Sequence, residues 1–161
     1  MFKKLIPFLL TLPLMAAPIG DVKNTFKDDL VLPGKTENQE VMLCLHGFGM
    51  DQSIAEFVSE TEMAPHHLVS FNFPDFGPDI DVSCPKKLSF GSIEELKPVI
   101  ERLHRCITDL EADTLHLYGF SAGGGAAANT LAVLKEHRFQ EELGLTAGEM
   151  DAIYAALERG T

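Results

Sequence analysis

Basic residues are scarce in this chain. Lys and Arg number 13 against 24 Asp and Glu in 161 residues, a net charge of −11. No basic patch is evident in the sequence, which argues against nucleic acid and anionic membranes as partners. Cysteine is equally sparse, with Cys44, Cys84 and Cys106 alone. Three thiols are too few for a disulfide scaffold, and no Cys or His spacing along the chain resembles a zinc site. The adjacent His66 and His67 would point to opposite sides of an extended chain, a poor chelating pair. The sequence therefore calls for no metal and no cofactor. Long apolar runs are also missing. The stretch from Leu5 to Met15 is too short to cross a bilayer as a helix, and Pro7 and Pro13 interrupt it. There is no Gly-Lys-Ser/Thr phosphate loop, no internal repeat and no low-complexity tract.

What the N-terminus does contain is a charged start, Met1-Phe2-Lys3-Lys4, that apolar stretch, and small residues at Ala16-Ala17. This is the pattern of a secretory signal over residues 1–17, followed by one domain over 18–161. It implies a secreted or periplasmic protein, or one anchored by an uncleaved N-terminus. An oxidising compartment would permit a Cys84–Cys106 bond. Cys44 lies in an apolar run and reads as a buried free thiol.

Strand and helix signals then alternate. Residues 28–32 suggest a short early strand ended by Pro33-Gly34. Val41 to Leu45 and Leu68 to Phe73 are continuous apolar runs of buried-strand length. Ser53 with Glu56, Ser92 with Glu95, and Thr146 with Glu149 each have the spacing of a capping box at a helix start. Ile93, Leu96, Ile100, Leu103, Ile107 and Leu110 repeat at three and four, the mark of an amphipathic helix, with Pro98 as a kink or first-turn residue. The loop from Pro74 to Pro85 carries Asp75, Asp79 and Asp81, read as turn formers rather than a calcium site. Leu115 to Tyr118 is a further strand, and the order of elements predicts an α/β fold with a mostly parallel sheet.

Chemistry concentrates at two turns. Leu115-His116-Leu117-Tyr118 leads into Gly119-Phe120-Ser121-Ala122-Gly123, and a run of Ala and Gly opens a helix. A Ser at the tip of so sharp a strand-to-helix turn is forced into sparsely populated backbone angles. Gly119 and Gly123 sit where a Cβ would collide across the turn. The hydroxyl is then lifted clear of the sheet as a nucleophile. Upstream, His46-Gly47-Phe48-Gly49 closes the first buried strand, and backbone N–H groups in such a turn can stabilise an oxyanion. His46 reads as a residue that shapes this turn rather than as a base. Gly123 to Ala128 also satisfies Gly-x-Gly-x-x-Ala, but it falls inside a helix, and no acidic strand end follows at dinucleotide-binding spacing.

The two turns together resemble the α/β-hydrolase family over about residues 30–135. The resemblance implies a three-layer α/β/α sandwich and serine-dependent acyl transfer, esterase-, lipase- or peptidase-like, on a small-molecule ester or amide. It makes Ser121 the nucleophile, the N–H groups of Phe48 and Ala122 the oxyanion hole, and His46, Gly47, Gly119 and Gly123 the supporting turns. The family's acid and histidine follow the serine in the chain. Here one histidine follows, His137, in the polar stretch Lys135-Glu136-His137-Arg138. The expectation is an incomplete hydrolase domain that lacks its C-terminal strands, acid and base. A non-catalytic relative and a truncated reading frame are the alternatives, and the last strand would be left as an open edge.

Overall fold

A computed structural model describes residues 21–34, 40–61, 66–73, 77–78 and 92–160. The signal-like segment, Asp75, Asp79 and Asp81, and Cys84 lie outside the described residues. In chain order the elements are α1 (Val22–Thr25), β1 (Leu30–Leu32), β2 (Glu40–Leu45), α2 (Ile54–Ser59), β3 (His67–Ser70) and α3 (Ile93–Thr108). They continue with β4 (Thr114–Gly119), α4 (Ala122–Leu134), a 3₁₀ turn at His137–Phe139, α5 (Gln140–Leu143) and α6 (Ala147–Arg159).

The class is α/β, and the sheet is mixed. Its strand order is β1-β3-β2-β4. β2 runs parallel to β3, with Val41 opposite His67, and parallel to β4, with Met42 opposite His116 and Leu45 opposite Gly119. β1 pairs antiparallel with β3, Val31 facing Val69. The early strand is therefore a true member of the sheet, and its direction was not expected from sequence. β4 forms the opposite edge among the described residues.

β2 is central and buried on both faces, which is why it reads as an unbroken apolar run. Val41, Leu43 and Leu45 join one core with Leu96, Val99, Ile100 and Leu103 of α3, Ala126 and Leu134 of α4, and Met150 and Ile153 of α6. Met42 and Cys44 face the other way, against Ile54, Ala55 and Val58 of α2. Helices thus cover both faces of β2, and period-two alternation sorts its side chains between them. The N-terminal segment is pinned to α3 by a bidentate pair, Arg102 to Asp29 at 2.7 and 2.8 Å, and the same guanidinium lies 3.8 Å over the Phe71 ring.

The capping boxes of α3 and α6 form as expected. Ser92 Oγ accepts from the Glu95 N–H at 3.3 Å, and Thr146 Oγ1 accepts from the Glu149 N–H at 3.2 Å. The one expected at Ser53 does not form: the Ser53 side chain caps no helix N–H. Asp51 accounts for the difference. Its Oδ1 accepts the Ser53 N–H at 2.8 Å, and its carboxylate also holds the Ser53 side chain. A carboxylate two residues upstream outcompetes the box. Pro98 is accommodated inside α3, which continues through it to Thr108. Cys44 and Cys106 are both buried free thiols, so Cys106 is not in a disulfide; burial pushes each thiol up to about 12. No helix among the described residues is long and apolar enough to cross a membrane.

Candidate active site

The chain leaves β2 to form β3 on one side of it, then returns to form β4 on the other side. That reversal is a topological switch point, and in open α/β sheets ligands bind at such points, outside the C-terminal ends of the strands, here β2 and β4. Both sequence-predicted turns converge there. The Phe120 N–H donates to the Leu45 carbonyl at 3.0 Å, tying the turn after β4 to the end of β2. A Cβ built on Gly47 would lie 3.2 Å from Ser121 Cβ and 3.2 Å from the Phe120 ring, so the two turns are in van der Waals contact.

Ser121 stands between β4 and α4 at φ 52° and ψ −114°. Among the described residues, Glu111 is the other non-glycine residue with positive φ. A backbone held in such a region stores on the order of 1–3 kcal/mol and persists because its surroundings over-determine it. They do so through two close approaches. A Cβ at Gly119 would meet the Gly123 carbonyl oxygen at 2.4 Å, and one at Gly123 would meet the Leu45 carbonyl oxygen at 2.2 Å. The turn is as tight as the sequence implies, and it leaves Ser121 exposed. The Ser121 side chain caps nothing and makes no hydrogen bond among the described residues.

Two backbone N–H groups in the flanking turns are left unused by the backbone. The Gly47 carbonyl accepts from the Met50 N–H at 3.1 Å, which closes a turn around Phe48. At the start of α4, the first turn uses the N–H groups of Gly123, Gly124 and Gly125. Neither the Phe48 N–H nor the Ala122 N–H donates to backbone among the described residues. Ala122 also begins a helix of 13 residues, whose N-terminus favours negative charge. Met50 and Phe120, exposed apolar side chains, border the same spot.

His46 is fully buried, and both ring nitrogens are engaged. Nδ1–H donates to the Gly47 carbonyl at 2.8 Å, and Nε2 accepts the Phe73 N–H at 3.0 Å. The imidazole is thereby fixed as the neutral Nδ1–H tautomer, and it joins the ends of β2 and β3. Burial holds its pKa below the ordinary 6.5, only partly offset by the Gly47 carbonyl and the Asp51 charge. The sign follows from linkage: the unfolded chain binds the proton more readily, so this contribution is complete above pH 6.5 and is lost as pH falls below it. His66 and His67 shift in the same direction. Urea midpoints should therefore fall between pH 7.5 and about pH 5. His46→Asn should be less stable at neutral pH and should shallow that fall. An undiminished slope in the variant would remove His46 from this role.

The other histidines lie away from Ser121. His66 and His116 both face Glu40, at the opposite end of β2. His67 Nδ1 accepts from the Gly34 N–H at 3.1 Å, and His104 faces Glu149. His137 follows α4 and contacts Asp151 at 2.8 Å. No imidazole among the described residues is placed as a base for Ser121.

No family model and no curated protein matches the chain. Among solved structures it is similar to that of MenH from S. aureus, at 20% identity and a TM-score of 0.44. The similarity covers 65% of this chain and 36% of that one, so the chain spans about a third of its length.

Proposed function

We propose that this chain carries the nucleophile half of a serine acyl hydrolase on an incomplete α/β-hydrolase-like three-layer domain. The observation that carries the reading is the strained, exposed Ser121 at the switch point, flanked by turns whose Phe48 and Ala122 N–H groups donate to no backbone carbonyl among the described residues. In this reading the Ser121 hydroxyl attacks the carbonyl of an ester or amide. The developing oxyanion is held by the N–H groups of Phe48 and Ala122, donors that need no reorganisation as charge develops. Gly47, Gly119 and Gly123 let the two turns approach, and His46 holds the oxyanion turn to β3. Met50 and Phe120 offer the substrate an apolar rim. The catalytic acid and histidine come from a segment other than those described. As it stands the chain is not a turnover enzyme, and a purely non-catalytic role is the second reading, supported by the engagement of every histidine elsewhere.

A fluorophosphonate tests the nucleophile without requiring turnover. Prolonged exposure should place the adduct on the Ser121 peptide in preference to every other serine, read by mass spectrometry. Ser121→Ala should lose it. Equal labelling of the variant, or scatter over the remaining serines, would sink the assignment.

A further inference from the structure

The other end of the sheet carries a second cluster. Glu40 opens β2, His66 immediately precedes β3, and His116 lies in β4. Parallel pairing sets them on one face: Val41 opposite His67 brings His66 alongside Glu40, and Glu40 opposite Thr114 places His116 on the near diagonal. His66 Nδ1 lies 2.9 Å and His116 Nε2 3.2 Å from the same Glu40 oxygen, Oε2. The two rings stack with centroids 4.2 Å apart. One donor atom from each residue falls within 4.8 Å of the others.

Protons alone satisfy this arrangement incompletely. His116 Nε2 is hydrogen-bonded to Glu40. His66 Nδ1 is at ion-pair distance, yet it is buried with no hydrogen-bond partner among the described residues, because its direction is wrong for one. We propose that Glu40, His66 and His116 form a binding site for a divalent transition metal, Zn²⁺ in the first instance. Two imidazoles and one carboxylate are a known ligand set for zinc. With metal–ligand bonds of about 2.0–2.2 Å and tetrahedral angles, ligand atoms sit about 3.3–3.5 Å apart. The observed 2.9 and 3.2 Å need to open by a few tenths of an ångström around an ion, and the two imidazole nitrogens, within 4.8 Å of each other, need to close on it. A cavity of about 410 Å³, bordered by His66, His116, Met42 and Tyr118, gives an entry path and room for water as a fourth ligand. The site lies about 16 Å from the catalytic end of β2, at 3.3 Å per residue, so it is separate from Ser121. Its effect is to clamp β2, β4 and the entry to β3 together.

The test uses the whole chain, untagged and stripped of metal. Titration with Co²⁺ should give one equivalent of binding with visible d–d absorption, and Zn²⁺ should displace it. Zn²⁺ should also raise the thermal midpoint. His66→Ala and His116→Ala should each weaken Co²⁺ binding at least about tenfold, since even residues that only support metal ligands cost this much. Circular dichroism checks that each variant is folded. Should the alanine variants unfold, the near-isosteric Glu40→Gln must weaken binding likewise. Absence of uptake, or affinity unchanged in the folded variants, overturns the proposal.

Discussion

Gly123→Ala should be strongly destabilising. The added Cβ would lie 2.2 Å from the Leu45 carbonyl oxygen, 2.6 Å from its carbon and 2.7 Å from the His46 carbonyl oxygen. All three are backbone atoms of a fully buried strand end, so none can swing aside as a side-chain tip would. Relief requires α4 to back away from β2, which opens the core around Ala126 and Leu134. Overpacking typically costs about 1–3 kcal/mol, and a clash with immovable backbone belongs at the upper end of that range, against a total of about 5–15 kcal/mol for an ordinary domain. The same experiment contains its controls. Gly124→Ala brings a Cβ to 3.2 Å of the Gly119 carbonyl oxygen and should be mild. A Cβ at Gly148, in the first turn of α6, meets nothing within 4 Å, and Ala there should stabilise by about 0.5–1 kcal/mol. Urea unfolding should rank the three as Gly148→Ala above Gly124→Ala above Gly123→Ala. A Gly123→Ala protein as stable as the parent would mean that β2 and α4 part easily and that Ser121 is not rigidly held.

That ranking is legible in the sequence only in part, and the reason is general. Local chemistry reads well. Val41 to Leu45 announces a doubly buried strand because every residue must face one of two cores. Ser92 with Glu95 and Thr146 with Glu149 announce helix starts because each box closes within four residues. The serine turn is legible because its two close approaches exclude every side chain but hydrogen at Gly119 and Gly123. Competition between local groups reads less well: Ser53 has the right spacing for a box, and Asp51 takes its hydrogen bonds instead. Pairing between distant segments does not read at all. Nothing in Leu30–Leu32 says that it lies antiparallel to β3. Spacing along the chain gave no hint of a metal-ligand set, because Glu40, His66 and His116 are assembled by the registers of β2, β3 and β4 rather than by a local motif.

The two ends of β2 therefore differ in kind. At Leu45 the proposed chemistry rests on the backbone: glycines, a strained serine and two N–H groups that donate to no backbone carbonyl among the described residues. At Glu40 the side chains do it, and the sheet only supplies register. Loss of Glu40 or its histidines should leave the Ser121 turn intact, whereas a change at Gly123 should disturb the serine and the core together.

Hydrolysis of a p-nitrophenyl ester by this chain should differ little from that of its Ser121→Ala variant. A serine hydroxyl is a weak nucleophile unless an adjacent base takes its proton. General-base assistance is typically worth about 10²–10⁴ in rate, and none of the six histidines supplies it. His46 spends Nδ1 on the Gly47 carbonyl and Nε2 on the Phe73 N–H. His66 and His116 are held at Glu40, His67 at Gly34, His104 at Glu149 and His137 at Asp151. The same lack stalls the second half of the reaction, since water also needs a base to release an acyl group from Ser121. What remains in the proposed reading is oxyanion stabilisation and binding, which in a triad enzyme leave about 10³–10⁴ over water. At most, then, a slow stoichiometric acylation should appear, without sustained turnover. Under the proposed reading, turnover requires an acid and a histidine brought to Ser121 beside β4, the edge strand among the described residues. Robust turnover by the chain alone, abolished in Ser121→Ala, would show that a base lies within it and that the half-site reading is wrong.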